Sequence, residues 1–120
     1  MTRKIDGNTL FILNNDNSVV LSLQTTPENI LTTLKVSGSI THEAAPEFED
    51  ELMSILTSGS GVALDFTFLE YISASALDTL LTVQKLVDEK RYTFYIKGVS
   101  EAARASFKQT GFIDVIDIRE

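Results

Sequence analysis

The stretch "ALDFTFLEYISASALDTLLTV" at residues 63–83 changes from a strand pattern to a helix pattern across a short polar break. The segment "VALDF" (62–66) is apolar except for Asp65, which is typical of a strand that is covered on both faces in a parallel sheet. The break itself is Ser73-Ala74-Ser75-Ala76, and "SALDTLLTVQKLVDEK" (75–90) follows it as an apolar helix. A buried strand that leads directly into a helix predicts an α/β fold.

The polar break places two hydroxyl groups at the predicted start of this helix. Ser75-Ala76-Leu77-Asp78 has the S-x-x-D form of a capping box, so the pattern predicts Ser75 as the N-cap. A second interpretation stands beside capping. A hydroxyl next to the free N–H groups of a helix start is a good place for a phosphate, which would add about −1.5 to −2 charges there.

Strand and helix patterns alternate along the rest of the chain, so a mostly parallel or mixed sheet with right-handed crossovers is predicted. We expect the helices on one side of the sheet, because the N-terminal strands look amphipathic and the chain is short. Turns are predicted at 15–18 and 26–29 from their Asn, Asp and Pro content. The predicted strands are 8–14, 19–25, 30–38, 62–66, 91–98 and 112–118, and the predicted helices are 46–57, 75–90 and 99–111.

Length and composition limit the classes of function. The chain has 120 residues, 43% hydrophobic and 22% charged, which suits one domain, divided into a strand and turn extension (1–19) and a core (20–118). It has no cysteine, which excludes disulfides and thiolate chemistry. The net charge of −7 argues against nucleic-acid binding, which needs phosphate-neutralising cations.

The hydropathy pattern predicts no membrane insertion, because no apolar run approaches the roughly 20 residues of a membrane-spanning helix. The N-terminal "MTRKIDGNTL" has basic residues without the apolar segment of a signal peptide behind them. We therefore expect a cytoplasmic protein.

Residues for conventional catalysis are sparse. His42 is the single histidine, and its polar surroundings predict a solvated residue before the first helix. The carboxylates between 47 and 51 are interpreted as a solvated helical face, and no phosphate-binding glycine motif follows a strand. The sequence predicts a protein that is not an enzyme and that has no metal site and no cofactor.

Three segments together resemble the STAS domain family, the fold of bacterial anti-sigma factor antagonists, over about residues 20 to 118. They are "LKVSGSIT" followed by "EFEDEL", then "VALDFTFLEYISASAL", then "YIKGVSEAARASFKQTGFIDVIDI". Each segment alone is degenerate, but the three occur in the order and spacing of the family. The resemblance implies a mixed β-sheet with helices packed mainly on one face.

The resemblance also implies a function for Ser75. In anti-sigma factor antagonists the matching serine is phosphorylated by a serine kinase that is also an anti-sigma factor. The unmodified antagonist binds this kinase, and a PP2C-type phosphatase restores the phosphorylated form. Ser75 is therefore the expected phosphorylation site, and the residues expected to bind the partner around it are Thr41, Asp65, Ser73, Ala76 and Leu80.

The chain departs from the family pattern at this site. Thr41 and Ser73 occupy positions where the family has aspartates, which makes the predicted site less acidic, while Asp65 is retained. Ala74 and Ala76 replace a serine and a glycine. The alternative is a STAS-type adaptor of a transport complex, or a small-ligand sensor, that works without phosphorylation.

The second helix has more apolar residues than one buried stripe requires. Leu80, Val83 and Val87 belong either to a wide core face or to an exposed groove for a partner. Their solvent exposure distinguishes the two.

Overall fold

The structure is a computed structural model, and it describes residues 1–111 and 116–119. It contains a seven-stranded sheet and three helices. The strands are β1 (Thr2–Asp6), β2 (Thr9–Leu13), β3 (Val19–Glu28), β4 (Leu31–Ile40), β5 (Gly61–Ile72), β6 (Phe94–Lys97) and β7 (Ile118–Arg119), and the helices are α1 (Ala45–Thr57), α2 (Ala74–Lys90) and α3 (Glu101–Thr110).

The strands lie in the sheet in their chain order, from β1 to β7. Neighbours from β1 to β4 are antiparallel, whereas those from β4 to β7 are parallel. The change from antiparallel to parallel pairing follows from the connections between the strands. Hairpin turns join β1 to β4, whereas a helix connects each pair of neighbouring strands from β4 to β7. The predicted α/β fold with a mixed sheet is confirmed.

Phe66 of β5 lies at the centre of the core. Its ring centroid is 6.5 Å from that of Phe48 in α1 and 6.3 Å from that of Phe107 in α3. One strand residue thus contacts both helices, which places α1 and α3 on the same face of the sheet. The buried side chains of α2 join the same apolar cluster, as do Leu10 and Ile12 of the N-terminal extension.

Several boundaries differ from the prediction. β3 continues to Glu28 through the predicted turn at 26–29, and the turn falls at Asn29, whose φ is 54°. β1 was not predicted, because its side chains are all exposed and carry no alternating pattern. Most of the strand predicted at 112–118 lies outside the described residues, and Ile118–Arg119 forms β7.

The greater length of β5, compared with the predicted strand, determines where the site lies. The predicted strand ends at residue 66, but β5 continues to Ile72, because Leu69 and Ile72 still reach the core. The polar break therefore begins directly where the strand ends. No helix among the described residues is long and apolar enough to span a membrane.

Candidate functional site

The site forms where the carboxyl ends of β4 and β5 meet. Ile40 and Ile72, the last residues of the two strands, are paired in register. The backbone N–H of Ser73 then donates to the carbonyl of Ile40, with an N···O distance of 2.9 Å. The loop that begins at Thr41 and the helix that begins after Ser73 are therefore neighbours, as parallel strands require.

Ser73, and not Ser75, is the N-cap of α2. Its backbone is extended (φ −77°, ψ 162°), and its Oγ accepts from the backbone N–H of Ala76 at 3.3 Å. The prediction of Ser75 as the cap is wrong, because β5 reaches Ile72 and the helix starts one residue after Ser73. Ser73 is buried, so its side chain serves the fold.

Ser75 is the second residue of α2 and is half-buried. Its Oγ lies 3.2 Å from Ser73 Oγ and 3.0 Å from Nδ1 of the exposed His42. The hydroxyl therefore connects the start of α2 with the loop that precedes α1. It is not required as the cap, and it retains access to solvent.

Thr41 organises the loop that holds His42. Its Oγ1 accepts from the backbone N–H of Ala44 at 3.1 Å, and its carbonyl accepts from the N–H of Ala45 at 2.9 Å. These bonds form a tight turn in which His42 is the second residue after the end of β4. Thr41 thus lies at the same edge of the sheet as Ser73 and Ser75, as the sequence predicted.

An open groove of about 350 Å³ runs between α1 and α2 in front of these residues. We call it the Ser75 groove. Its two acidic side chains, Glu49 and Asp78, come from α1 and α2 respectively, and His42 is the basic side chain in its lining. The lining residues are His42, Ala45, Pro46, Glu49, Ser75, Asp78, Thr79 and Thr82.

Two predicted partner contacts are wrong. Ala76 and Leu80 have no accessible surface, so a partner cannot touch their side chains in the folded domain. Val83 and Val87 are buried as well, which identifies this part of α2 as a wide core face and not as a docking groove. All four are apolar residues that pack into the single core cluster.

Asp65 lies apart from the groove. It pairs in register with Lys35, five residues before Ile40 on β4, which is roughly 16 Å along the sheet from the site. Its Oδ1 accepts from the hydroxyl of Thr67 at 2.6 Å and from the backbone N–H of Thr67 at 3.1 Å. The expectation that Asp65 stands beside Ser75 is therefore wrong, and its described bonds stabilise the strand.

His42 is the functional candidate that the sequence prediction missed. It is exposed as predicted, but its ring also bonds to a side chain 33 residues away. The available signal was its position directly after Thr41 at a strand end. Among the described residues, no group of three or more His, Cys, Asp and Glu side chains could hold a metal ion.

The fold and the site define a small α/β domain with a hydroxyl-bearing groove at the edge of a mixed sheet. The family model of the STAS domain matches residues 21–120, so the chain belongs to the STAS domain family.

Three comparisons illustrate the similarity. The "Anti-sigma-B factor antagonist" of Staphylococcus aureus (strain NCTC 8325 / PS 47) is 24% identical over 101 residues, 83% of this chain and 94% of that protein. The anti-sigma factor antagonist SpoIIAA in its unphosphorylated form superposes with a TM-score of 0.69 at 13% identity, covering 82% of this chain and 88% of SpoIIAA. A sulfate transporter family protein from Wolinella succinogenes superposes at 0.62 with 17% identity, covering 75% and 74%.

Proposed function

We propose that this domain is a binding module of the anti-sigma factor antagonist type, switched by phosphorylation of Ser75. Its unmodified form binds an anti-sigma factor that is also a serine kinase, and a PP2C-type phosphatase reverses the modification. The observation that carries the proposal is the position of the Ser75 hydroxyl. It is half-buried at the second residue of a helix, faces an open groove and is not needed as the helix cap.

The relatives support this assignment. The curated relative in Staphylococcus aureus is named an anti-sigma-B factor antagonist, and the SpoIIAA structure is described as an unphosphorylated form. An antagonist of this type acts by binding, which agrees with a site that offers one hydroxyl and a groove.

The modification is a simple phosphoryl transfer. Ser75 Oγ forms a bond to the γ-phosphorus of ATP, and the bond from that phosphorus to the bridging oxygen breaks to release ADP. The proton of the Ser75 hydroxyl passes to a general base that the kinase supplies. The partner kinase supplies ATP and the transfer machinery, whereas this domain supplies an accessible hydroxyl at a fixed position.

The position of Ser75 explains how such a change alters binding without unfolding the domain. The first turn of a helix stabilises negative charge through its free N–H groups and its dipole, so α2 tolerates a dianion there. A partner packed over the Ser75 groove would have to bury that dianion beside Glu49 and Asp78. Burying an unpaired charge is costly, so the partner dissociates.

The test uses the purified domain, its cognate serine kinase and ATP. We expect intact mass to rise by one phosphate, and peptide mapping to place that phosphate on Ser75. Ser75→Ala should bind the kinase but remain unmodified. Ser73→Ala is the matched control, because it removes the neighbouring hydroxyl and leaves the acceptor. A phosphate on another residue, or none, would contradict the proposal.

A second candidate is an adaptor role in a transport assembly without phosphorylation. The fold similarity to a sulfate transporter family protein favours it. Under this alternative the domain binds a transport protein, and neither ATP nor Ser75→Ala changes the affinity. Parallel binding measurements with the kinase and with the transport protein distinguish the two functions.

A further inference from the structure

The hydroxyl groups at the start of α2 form a directed chain of hydrogen bonds. Ser73 Oγ accepts from the backbone N–H of Ala76, and it lies 3.2 Å from Ser75 Oγ. When Ser73 donates to Ser75, the hydroxyl of Ser75 can donate to His42 Nδ1, 3.0 Å away. Each donor then has one acceptor, and this order requires Nδ1 of His42 to be unprotonated.

The Ser73 hydroxyl is the donor to Ser75. If Ser75 donated to Ser73 instead, Ser73 Oγ would accept two bonds, and its own hydrogen would have no acceptor within the described residues. Ser73 is only 4% exposed, so such an orphaned donor is costly. Ser75 Oγ keeps a second lone pair and its own hydrogen, so it can donate to His42 Nδ1 or accept from Nδ1–H, and the two groups are bonded in either tautomer.

The described charged side chains that line the Ser75 groove are acidic except for His42. Glu49 and Asp78 line the groove from α1 and α2, and Glu43 follows His42 in the turn. Glu47, also on α1, is paired with Arg3, with 2.9 Å between Arg3 Nε and Glu47 Oε2. Among the described residues that line the groove, His42 is the one that can become a cation.

From this geometry we propose that His42 is the ligand of the phosphate on phosphoserine 75. The inference rests on the proposed function. In the unmodified domain Nδ1 is hydrogen-bonded to the hydroxyl of Ser75. Once Ser75 carries a phosphate, the imidazolium donates its Nδ1–H to a phosphate oxygen and balances part of its charge.

A consequence is that the modified state contains a charge pair that the unmodified domain lacks, because the hydroxyl of Ser75 carries no charge. The imidazolium pairs with the phosphate and holds it against the start of α2. Without His42 the dianion would face Glu49 and Asp78 with no cation among the described lining residues of the groove.

The test installs phosphoserine at position 75 genetically, so that no kinase is required, and follows the phosphate by ³¹P NMR against pH. A nearby cation favours the dianion. The midpoint of the second ionisation should therefore lie about one pH unit lower in the native background than with His42→Gln. Equal midpoints in the two proteins would overturn the inference.

Two controls separate this effect from general perturbation. His42→Lys keeps a cation at all relevant pH values and should retain the low midpoint. Phosphoserine installed at the exposed Ser54, elsewhere on α1, should have the same midpoint with and without His42→Gln. Because His42 is exposed, these variants should fold, which far-UV circular dichroism checks.

The same samples distinguish the two proposals. If phosphoserine 75 shows the lowered midpoint but still binds the anti-sigma partner, the proposed function fails and the phosphate ligand stands. If binding is lost and the midpoint does not depend on His42, the switch stands and the inference about His42 is wrong.

Discussion

The starts of α2 and α3 are built alike at the cap and differ at the second helical residue. Ser73 and Ser100 both have extended backbones, and each Oγ accepts from the N–H three residues later. Ser100 also donates to the carbonyl of Leu69 at 2.7 Å, so its hydroxyl is fully used within the fold. At the second position α2 has Ser75, whereas α3 has the exposed Ala102.

The comparison of the two helix starts distinguishes the serine that the fold requires as a cap from the serine that it does not require. One serine is sufficient to begin each helix, so the additional hydroxyl of Ser75 is not explained by capping. It is also the hydroxyl that faces a groove and a histidine from another loop. The start of α3 therefore serves as an internal reference for what the fold alone requires.

The largest effect is expected from charge at the second helical position. Ser75→Asp should weaken binding to the anti-sigma partner by roughly 100-fold, because a carboxylate becomes buried in the interface. Ala102→Asp adds the same charge at the equivalent position of α3 and should leave affinity unchanged within about twofold. Calorimetry on both variants measures the difference. Equal losses would show that the two helix starts do not differ in function.

The next largest effect is a loss of stability from substitution of Gly98, which lies just before α3. Gly98 has a φ of +64°, and a Cβ there would collide with Thr67 Oγ1 and lie 2.9 Å from Asp65 Oδ1. Gly98→Ala should therefore lower the free energy of unfolding by about 2 kcal/mol or more. Gly111→Ala, with φ +74° but open space, isolates backbone strain and should cost about 1 kcal/mol. Urea unfolding checks both, and equal costs would exclude a contribution from the collision.

Loss of either cap should have a smaller effect. Ser73→Ala should cost about 1 kcal/mol of unfolding free energy. Ser100→Ala should cost nearer 2 kcal/mol, because the carbonyl of Leu69 also loses its donor. Thermal and urea denaturation measure the two values. A cost below a few tenths of a kcal/mol for Ser73→Ala would mean that this hydroxyl is not the effective cap.

The smallest effect is expected from Ser75→Ala. It removes the acceptor of the Ser73 hydroxyl, and the higher helix propensity of alanine offsets part of that cost, so the free energy of unfolding should fall by about 0.5 kcal/mol. The same urea titrations provide the measurement. A loss as large as that of Ser73→Ala would assign Ser75 a structural role and remove the contrast with Ala102.

Most of the element order could be predicted because it follows from local patterns. Pro46 lies in the first turn of α1 as expected, and Ser100 and Gly111 delimit α3 as predicted. The errors in the predicted element bounds occur where tertiary packing determines the end of an element. β5 continues to Ile72 because its later side chains still reach the core, and that extension moves the cap of α2 from Ser75 to Ser73.

The site was predictable only in part for the same reason. That Thr41, Ser73 and Ser75 lie at one edge of the sheet follows from the direction of parallel strands. The bond between Ser75 and His42 does not follow, because it joins residues 33 apart through two independent turns. Leu80 illustrates the converse error, since a surplus of apolar residues in α2 does not tell how wide its buried face is.

The sequence by itself determined the alternation of strands and helices, the mixed sheet and the presence of two serines at the start of α2. These features depend on hydrophobic period, turn residues and helix ends, all of which act within a few neighbouring residues. Only the tertiary structure decided which serine caps the helix, that Asp65 is remote and that His42 reaches Ser75. Those outcomes depend on strand register and on packing between distant segments, which no local pattern encodes.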